Sequence, residues 1–384
     1  VRFLHTSDWH LGRLFHGIHL TNDQAHVLDQ FLALVRESKP DGIIIAGDIY
    51  DRAVPPIEAV ELLNQLISQI LVDYKVPTIM IAGNHDSAER LGFGSRLLAA
   101  QGLYVAGALS REIEPIILYD EHGPVYFAPL TYGEPAFVRE RLSCPDVSNH
   151  EQAIEAMVQH VIRKIPNKAR SVAIAHAFIA GGMESESERP LSIGGSSMVN
   201  GAVFQPFCYT ALGHLHNSQQ AGNPSIHYSG SLLKYSFAEA SQRKGIHLIE
   251  MDKVGGITVE RIPLSPRRDV RCIKGYFKDI LDHSIDEGNQ QDYVSVTLLD
   301  EMPILDAMGK LREKYPNVLQ IESPRFLKKG VLSGLPKDHR KLSEKELFAA
   351  FYHQMTGENM TQEQQMHLVN VIETVYREER EAIL

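Results

Sequence analysis

Asp, Asn and His, residue types that bind divalent cations and move protons, recur in this chain in five short clusters. They are Asp8-x-His10, Gly47-Asp48-x-x-Asp51, Gly83-Asn84-His85-Asp86, His176 and Gly213-His214-x-His216. Together they offer carboxylate, amide-oxygen and imidazole donors and no thiolate. Such a mixed set suits Mn²⁺, Fe²⁺ or Zn²⁺ in a reactive site better than a structural zinc. Its size exceeds the needs of one ion and points to two, about 3.5–4 Å apart. Two such cations call for a bridging anion, and Asp48 is the natural one. Asn84 adds a neutral oxygen, which limits negative charge where a phosphate must enter. Glycines before Asp48, Asn84 and His214 permit tight turns and close backbone packing.

Each cluster alone has a plainer reading. A lone His176 is more often structural, and Asn-His-Asp in a loop often only caps a turn. The plain readings fail together because every cluster follows an apolar strand. Phe3–Thr6 runs into Asp8, Gly42–Ala46 into Asp48, Val76–Ala82 into Asn84, Val172–Ala175 into His176, and Tyr209–Leu212 into His214. Ligands in layered α/β folds gather at the carboxyl ends of strands, so five distant segments can meet at one site. His5, His16, His19 and His26 lie outside this pattern and are expected to be solvated or to support the site from behind. His227 and His247 have no claim from pattern.

Helical segments separate the strands. Thr21 is the expected cap of a helix with Val27, Leu28, Phe31, Leu32 and Val35 on one face. Pro55 and Pro56 open another, with Val60, Leu63, Leu66, Ile67 and Ile70 inward. A third runs from about Asn149 to Ile165. These elements predict an α/β fold over residues 1–265, a sheet sandwich flanked by helices. The sequence leaves parallel and mixed sheets open.

A linker around Arg267-Arg268 introduces residues 266–335, read as a small α+β domain. It holds strands at Val270–Ile273, Tyr293–Leu299 and Val318–Ile321 and a helix at Ile304–Tyr315. Residues 336–384 read as two amphipathic helices. Ser343 with Glu346 forms a capping box for one, bearing Leu347, Phe348, Phe351 and Tyr352; Thr361 with Gln364 caps the other, with Leu368, Ile372 and Val375 on a stripe.

The chain has 384 residues, 43% of them apolar, with no run long enough to span a membrane. Its opening residues enter a strand at once, so no signal peptide is expected. Cys144, Cys208 and Cys272 form no CxxC pair, which fits a reducing cytoplasm. The net charge of −10 argues against a protein that grips nucleic acid alone over a wide surface.

The clusters and their surroundings resemble the calcineurin-like metallophosphoesterases and, within them, the SbcD/Mre11 family of nuclease subunits. The resemblance lies in Leu4-His5-Thr6-Ser7-Asp8-Trp9-His10-Leu11-Gly12, Ala46-Gly47-Asp48-Ile49-Tyr50-Asp51, Ala82-Gly83-Asn84-His85-Asp86-Ser87, Ala211-Leu212-Gly213-His214-Leu215-His216 and Tyr228-Ser229-Gly230-Ser231. It covers residues 1–265 strongly and 266–335, the place of a DNA-capping domain, loosely.

This resemblance implies one ion held by Asp8, His10, Asp48 and His216 and another by Asp48, Asn84, His176 and His214, with Mn²⁺ preferred. It implies that His85 binds no metal but acts at the scissile phosphate. Asp86 and Asp51 would support it, orienting His85 and shaping the loops. The implied activity is cleavage of DNA: endonuclease on single strands and hairpins, 3'-5' exonuclease on duplex ends. The implied partners are a coiled-coil ABC ATPase of the SbcC/Rad50 kind, bound by the C-terminal helices, and a second copy of the chain. No GxxxxGK[ST] motif is present, so ATP chemistry belongs to the partner. The competing reading is a phosphatase or cyclic nucleotide phosphodiesterase for small substrates.

Arg13, Arg52, Arg90 and Arg96 flank the clusters as candidate phosphate contacts, Arg52 and Arg90 foremost. Arg267, Arg268, Lys328 and Lys329 are a candidate second basic patch. The loop from Gly181 to Gly195, with Glu184, Glu186 and Glu188, would repel DNA and is expected at the periphery.

Overall fold

Gly42–Ala46 reads Gly-Ile-Ile-Ile-Ala, and all five residues are buried. A β-branched run without a polar face suits only a strand covered on both sides. The computed structural model places it centrally in a six-stranded sheet, ordered 257–263, 245–251, 2–6, 42–46, 78–81, 103–106. A second six-stranded sheet is ordered 219–220, 226–228, 209–213, 171–176, 123–130, 116–120. The model describes residues 1–188, 191, 197–282, 288–302, 304–323, 345, 348–349, 352–353 and 358–381.

Each sheet is mixed. In the first, strands 2–6, 42–46, 78–81 and 103–106 are parallel, and 245–251 and 257–263 join antiparallel. In the second, 226–228, 209–213, 171–176 and 123–130 are parallel, with antiparallel strands at both edges. Period-two alternation packs the sheets face to face. Phe3, Ile44, Ala46, Ile79 and Ile81 of one meet Val125, Phe127, Val172, Ile174, Tyr209 and Ala211 of the other. Each large apolar side chain so buried contributes about 1.5–3 kcal/mol. The alternate residues Ala173, Ala175 and Leu212 face outward, where helix His150–Ile162 covers them with Ile154, Met157, Val158 and Val161. Asn149 caps that helix, its side chain accepting from the Gln152 N–H at 2.9 Å.

Helix Thr21–Ser38 buries Val27, Leu28, Phe31 and Val35, but its cap is Leu20, with no side-chain hydrogen bond, rather than Thr21. Helix Ile57–Ser68 follows Pro56 and buries Leu63, Leu66 and Ile67. Val60 is 43% exposed, not inward; Ile70 is buried in the π-helical turn that follows.

The chain divides into two compact units, Val1–Arg271 and Cys272–Leu384. Strands 270–275, 293–298 and 318–322, all but the first two residues within the second unit, form a sheet. Its core is Ile273, Ile280, Val294, Val296, Leu298, Leu311, Tyr315 and Val318. Helix Gln362–Glu381 begins at the expected capping box. The Thr361 N–H donates to Gln364 Oε1 at 2.9 Å and the Gln364 N–H to Thr361 Oγ1 at 3.3 Å. Ser343, Glu346, Leu347, Phe351, Lys328 and Lys329 lie outside the described residues. Among the described residues no helix is long and apolar enough to cross a membrane.

Candidate metal centre

The five cluster-bearing strands all end on the same side of the sandwich. Parallel pairing sets Thr6 against Ile45 and Ala46 against Ile81 in one sheet, and Gly213 against His176 in the other. Beyond the strand ends, backbone bonds tie the first two loops together. Asp8 N–H donates to the Gly47 carbonyl at 3.1 Å, His10 N–H to Asp48 at 2.9 Å and Leu11 N–H to Ile49 at 2.9 Å.

The backbone is strained here. Asp8 (φ 52°), His10 (45°), Asp48 (49°) and His214 (108°) lie in the left-handed region, which L-residues other than glycine seldom occupy. Strain of this kind costs about 1–3 kcal/mol per residue and clusters at functional sites. The turns bring the predicted ligands together. A Cβ on Gly83 would strike the Asp48 carboxylate, and one on Gly213 the Ala46 carbonyl oxygen.

Asp48 lies in the middle. Its Oδ1 accepts the His85 N–H at 2.9 Å, while Oδ2 is 3.7 Å from His10 Nε2 and 3.4 Å from His176 Nε2. On one side, His10 Nε2 faces His216 Nε2 at 3.1 Å, with Asp8 completing the group. On the other, His176 Nε2 is 2.9 Å from Asn84 Oδ1 and its Nδ1 is 3.0 Å from the Ala46 carbonyl. The His214 ring packs edge-on against His176 at 5.5 Å, and the His214 main-chain N–H donates to Asp8 Oδ1 at 2.9 Å. Asp8, His10, Asp48, His176, His214 and His216 are all buried, and Asn84 is half-buried.

Residues 1–178 match the model of the calcineurin-like phosphoesterase family, and residues 266–356 that of the type 5 capsule protein repressor C-terminal domain. The SbcD subunit of nuclease SbcCD from Staphylococcus epidermidis is 34% identical over 375 residues, 97% of this chain and 99% of the relative. That of Staphylococcus saprophyticus is 32% identical over 378 residues, 98% of this chain and 99% of the relative. The chain belongs to the SbcD family of calcineurin-like phosphoesterases.

The electrostatics of this SbcD-family site favour cations. Burial, with the nearby Asp48 charge, pushes the Asp8 carboxyl up to about 8. Burial also works against ionising Asp48 and His176, but their mutual attraction prevails, holding Asp48 well below the usual carboxylate range and raising His176 to about 9. His10 Nδ1 is buried without a hydrogen-bond partner. Buried carboxylates, imidazole nitrogens facing each other and an amide oxygen fit a divalent centre, where the charge of an ion would relieve the repulsion.

His85 and Asp86 have separate places. His85 Nδ1 is 2.8 Å from the Asp51 carbonyl oxygen. The Asp86 carboxylate accepts the N–H groups of Ile49 (3.1 Å), Tyr50 (2.9 Å) and Gly83 (2.9 Å). Asp51 thus meets His85 through its backbone, and Asp86 ties the loops.

Arg13 donates to Asp51 Oδ1 at 2.9 Å and lies over the Tyr235 ring at 5.2 Å. Arg52, Arg90 and Arg96 are exposed. Arg268 is 3.7 Å from Asp23, an ion pair that the reading of a second basic patch did not include. His16, His19 and His26 are exposed. His5 is not solvated; it is fully buried between Tyr209 Oη (3.0 Å) and the Leu212 carbonyl (3.1 Å), edge-on to His247 at 5.7 Å.

The acidic loop is not peripheral throughout. Glu184 and Glu186 are exposed, but Glu188 Oε1 accepts the His216 N–H at 2.6 Å and Ser187 Oγ is 2.6 Å from His216 Nδ1. Burial raises the Glu188 carboxyl to about 7, which lessens its own share of the negative charge expected of this loop. Sequence reasoning also missed Ser7, Ser229, Glu239 and Lys244. Ser7 Oγ donates to Asp8 Oδ2 at 2.5 Å and lies 2.8 Å from Ser229 Oγ. The available signals were Ser7 in the Leu4–Gly12 run and Ser229 in the Tyr228-Ser229-Gly230-Ser231 run; Glu239 and Lys244 had none.

Proposed function

We propose that this chain is a metal-dependent DNA nuclease, the SbcD component of an SbcCD-type complex. The observation that carries this reading is the near-complete alignment with relatives named as that nuclease component, on a chain whose five strand-end clusters converge at Asp48. In the proposal Asp8, His10, Asp48 and His216 hold one divalent cation, and Asp48, Asn84, His176 and His214 hold another, both Mn²⁺ by preference. Bound there, the ions would neutralise a phosphodiester and lower the pKa of water.

The chain's own residues supply the rest. The Asp51 carbonyl accepts the His85 Nδ1–H, which fixes the ring. In the doubly protonated ring Nε2–H donates to the leaving sugar oxygen as its charge develops. The oxygen of a water that has given up a proton to solvent bonds to phosphorus, the P–O bond to the leaving sugar breaks, that oxygen takes the His85 proton, and solvent returns a proton to His85. Arg13 is braced by Asp51 and Tyr235, and with the exposed Arg52 and Arg90 it orients phosphates.

Residues 1–265 form the nuclease domain, 266–335 the DNA-capping domain, and 336–384 the helices that bind a coiled-coil SbcC/Rad50-like ATPase. Such a partner supplies the grip on DNA that a net charge of −10 withholds. The working protein is a cytoplasmic homodimer, on the nucleoid while bound to DNA. The test is cleavage of a labelled DNA hairpin with Mn²⁺, before and after chelation, beside a cyclic nucleotide and a nitrophenyl phosphodiester. Metal-dependent cleavage of the hairpin is expected. Turnover of the small esters with an inert hairpin, even with ATPase partner and ATP added, would overturn it.

A further inference from the structure

Glu239 closes a short 3-10 turn, Phe237–Glu239, and Lys244 directly precedes strand Gly245–Met251. The two side chains pair at 2.6 Å, Glu239 fully buried and Lys244 7% exposed. Such a pair does not explain itself by stability, because apolar residues of similar volume do as well in a protein interior. Its contacts point elsewhere. Lys244 Nζ donates to the His216 carbonyl at 2.8 Å, and also to Ser231 Oγ at 2.9 Å and Gln242 Oε1 at 2.7 Å. Glu239 Oε1 accepts from Ser187 Oγ and lies 3.4 Å from His216 Nδ1, and Ser187 Oγ is 2.6 Å from the same Nδ1. Ring, N–H and carbonyl of one residue are therefore all held by this small group, the N–H by Glu188.

We propose that Glu239, anchored by Lys244, is a positioning residue that fixes His216 in the Nδ1–H form and aims its Nε2 at the point it shares with His10. Ionised Glu239 has only lone pairs to offer. It takes the Ser187 hydroxyl hydrogen, leaving Ser187 Oγ to accept from His216 Nδ1–H. That chain of donors leaves the His216 Nε2 lone pair facing His10 Nε2, 3.1 Å away. A carboxylate behind a metal-binding imidazole fixes its tautomer and raises its basicity, and loss of such support costs about 10–100-fold in metal affinity. The proposal rests on reading His216 as a metal ligand.

The experiment is titration calorimetry of the full-length protein with Mn²⁺, comparing wild type, His10→Ala, Glu239→Gln and the double variant Glu239→Gln/Lys244→Met. The double variant removes the charge pair together, so no buried ammonium is left to unfold the chain. A loss of Mn²⁺ affinity of about 10–100-fold is expected in both Glu239 variants. Wild-type affinity in either folded variant would overturn the positioning role. If wild type binds no Mn²⁺, or His10→Ala binds as wild type does, the metal reading itself fails. A second readout needs no folded Glu239 variant: ¹⁵N-histidine spectra of the Zn²⁺-loaded wild type, with the His216 signals assigned by their loss in His216→Gln. A proton on Nδ1 and metal on Nε2 is expected, and the reverse would overturn the proposal.

Discussion

His85 Nδ1 lies 2.8 Å from the main-chain carbonyl oxygen of Asp51, while the His85 N–H donates to Asp48 Oδ1 at 2.9 Å. The residue is therefore fixed at ring and backbone by the one loop that follows strand 42–46, yet it is only half-buried. In the proposed function a group so held acts on the substrate and not on an ion, although it lies with His10 and Asp51 in a set that could itself hold a cation. His85→Ala is expected to lower kcat on a DNA hairpin by about 10²–10⁴-fold and to leave Mn²⁺ affinity near wild type. Measured together, the two quantities decide its role: a parallel collapse of metal binding would make His85 a ligand or a structural residue instead.

Gly83 tests the packing beneath the centre. Its missing Cβ leaves room for the Asp48 carboxylate, whose oxygen, carbon and backbone nitrogen would all be struck by a methyl group. Gly83→Ala should displace Asp48, the group shared by both halves of the site, and weaken Mn²⁺ binding by at least about tenfold. Gly181→Ala is a useful contrast: its Cβ would meet open space, although its φ of +92° is strained. Equal metal affinities in the two variants would mean that Gly83 does not position Asp48.

Asp86 is a structural support in this arrangement. Its carboxylate receives three backbone N–H groups, from Ile49, Tyr50 and Gly83, and so joins the loop after strand 42–46 to the loop after strand 78–81. Asp86→Ala strands those donors, at about 1–3 kcal/mol for each left without a partner. Chelated protein should lose stability by a few kcal/mol in urea denaturation. An unchanged urea midpoint, together with lost cleavage, would instead put Asp86 among the reacting groups.

Much of the site was legible because its signals are local. An apolar run such as Gly-Ile-Ile-Ile-Ala followed by Gly-Asp shows both the strand and its exit, and Thr361 with Gln364 shows a helix start because a capping box is complete within four residues. What escaped depends on pairings far apart in sequence. Glu239 and Lys244 reach His216 only after strand 245–251 lines up antiparallel with strand 2–6. The same register puts His5 opposite His247, burying a histidine whose polarity alone predicts exposure. The left-handed turns at Asp8, His10, Asp48 and His214 run against local propensity and are imposed by the surrounding contacts. Thr21 failed as a cap for a related reason: the helix entry is set by Leu20, which is buried in the core.

A last prediction concerns pH and lies away from the metal centre. Arg170 is forked onto Asp120, with Nη1 2.7 Å from Oδ2 and Nη2 2.6 Å from Oδ1, and both side chains are more than nine-tenths buried. The guanidinium holds the Asp120 carboxyl well below the usual carboxylate range. Because the folded value is depressed, the unfolded chain takes up this proton first as pH falls, near its ordinary value of about 3.9. The stabilisation is therefore complete at neutral pH and is lost as pH drops below about 4 toward the folded value. Asp120→Asn should cost about 3–5 kcal/mol at pH 7, since it leaves a buried guanidinium without its counter-charge. The gap between variant and wild type should then narrow in acid. Urea midpoints of the chelated proteins at pH 7, 5 and 3 provide the measurement. A gap that stays constant across that range would show that Asp120 titrates alike in the folded and unfolded chain, and that the fork with Arg170 does not hold its proton off.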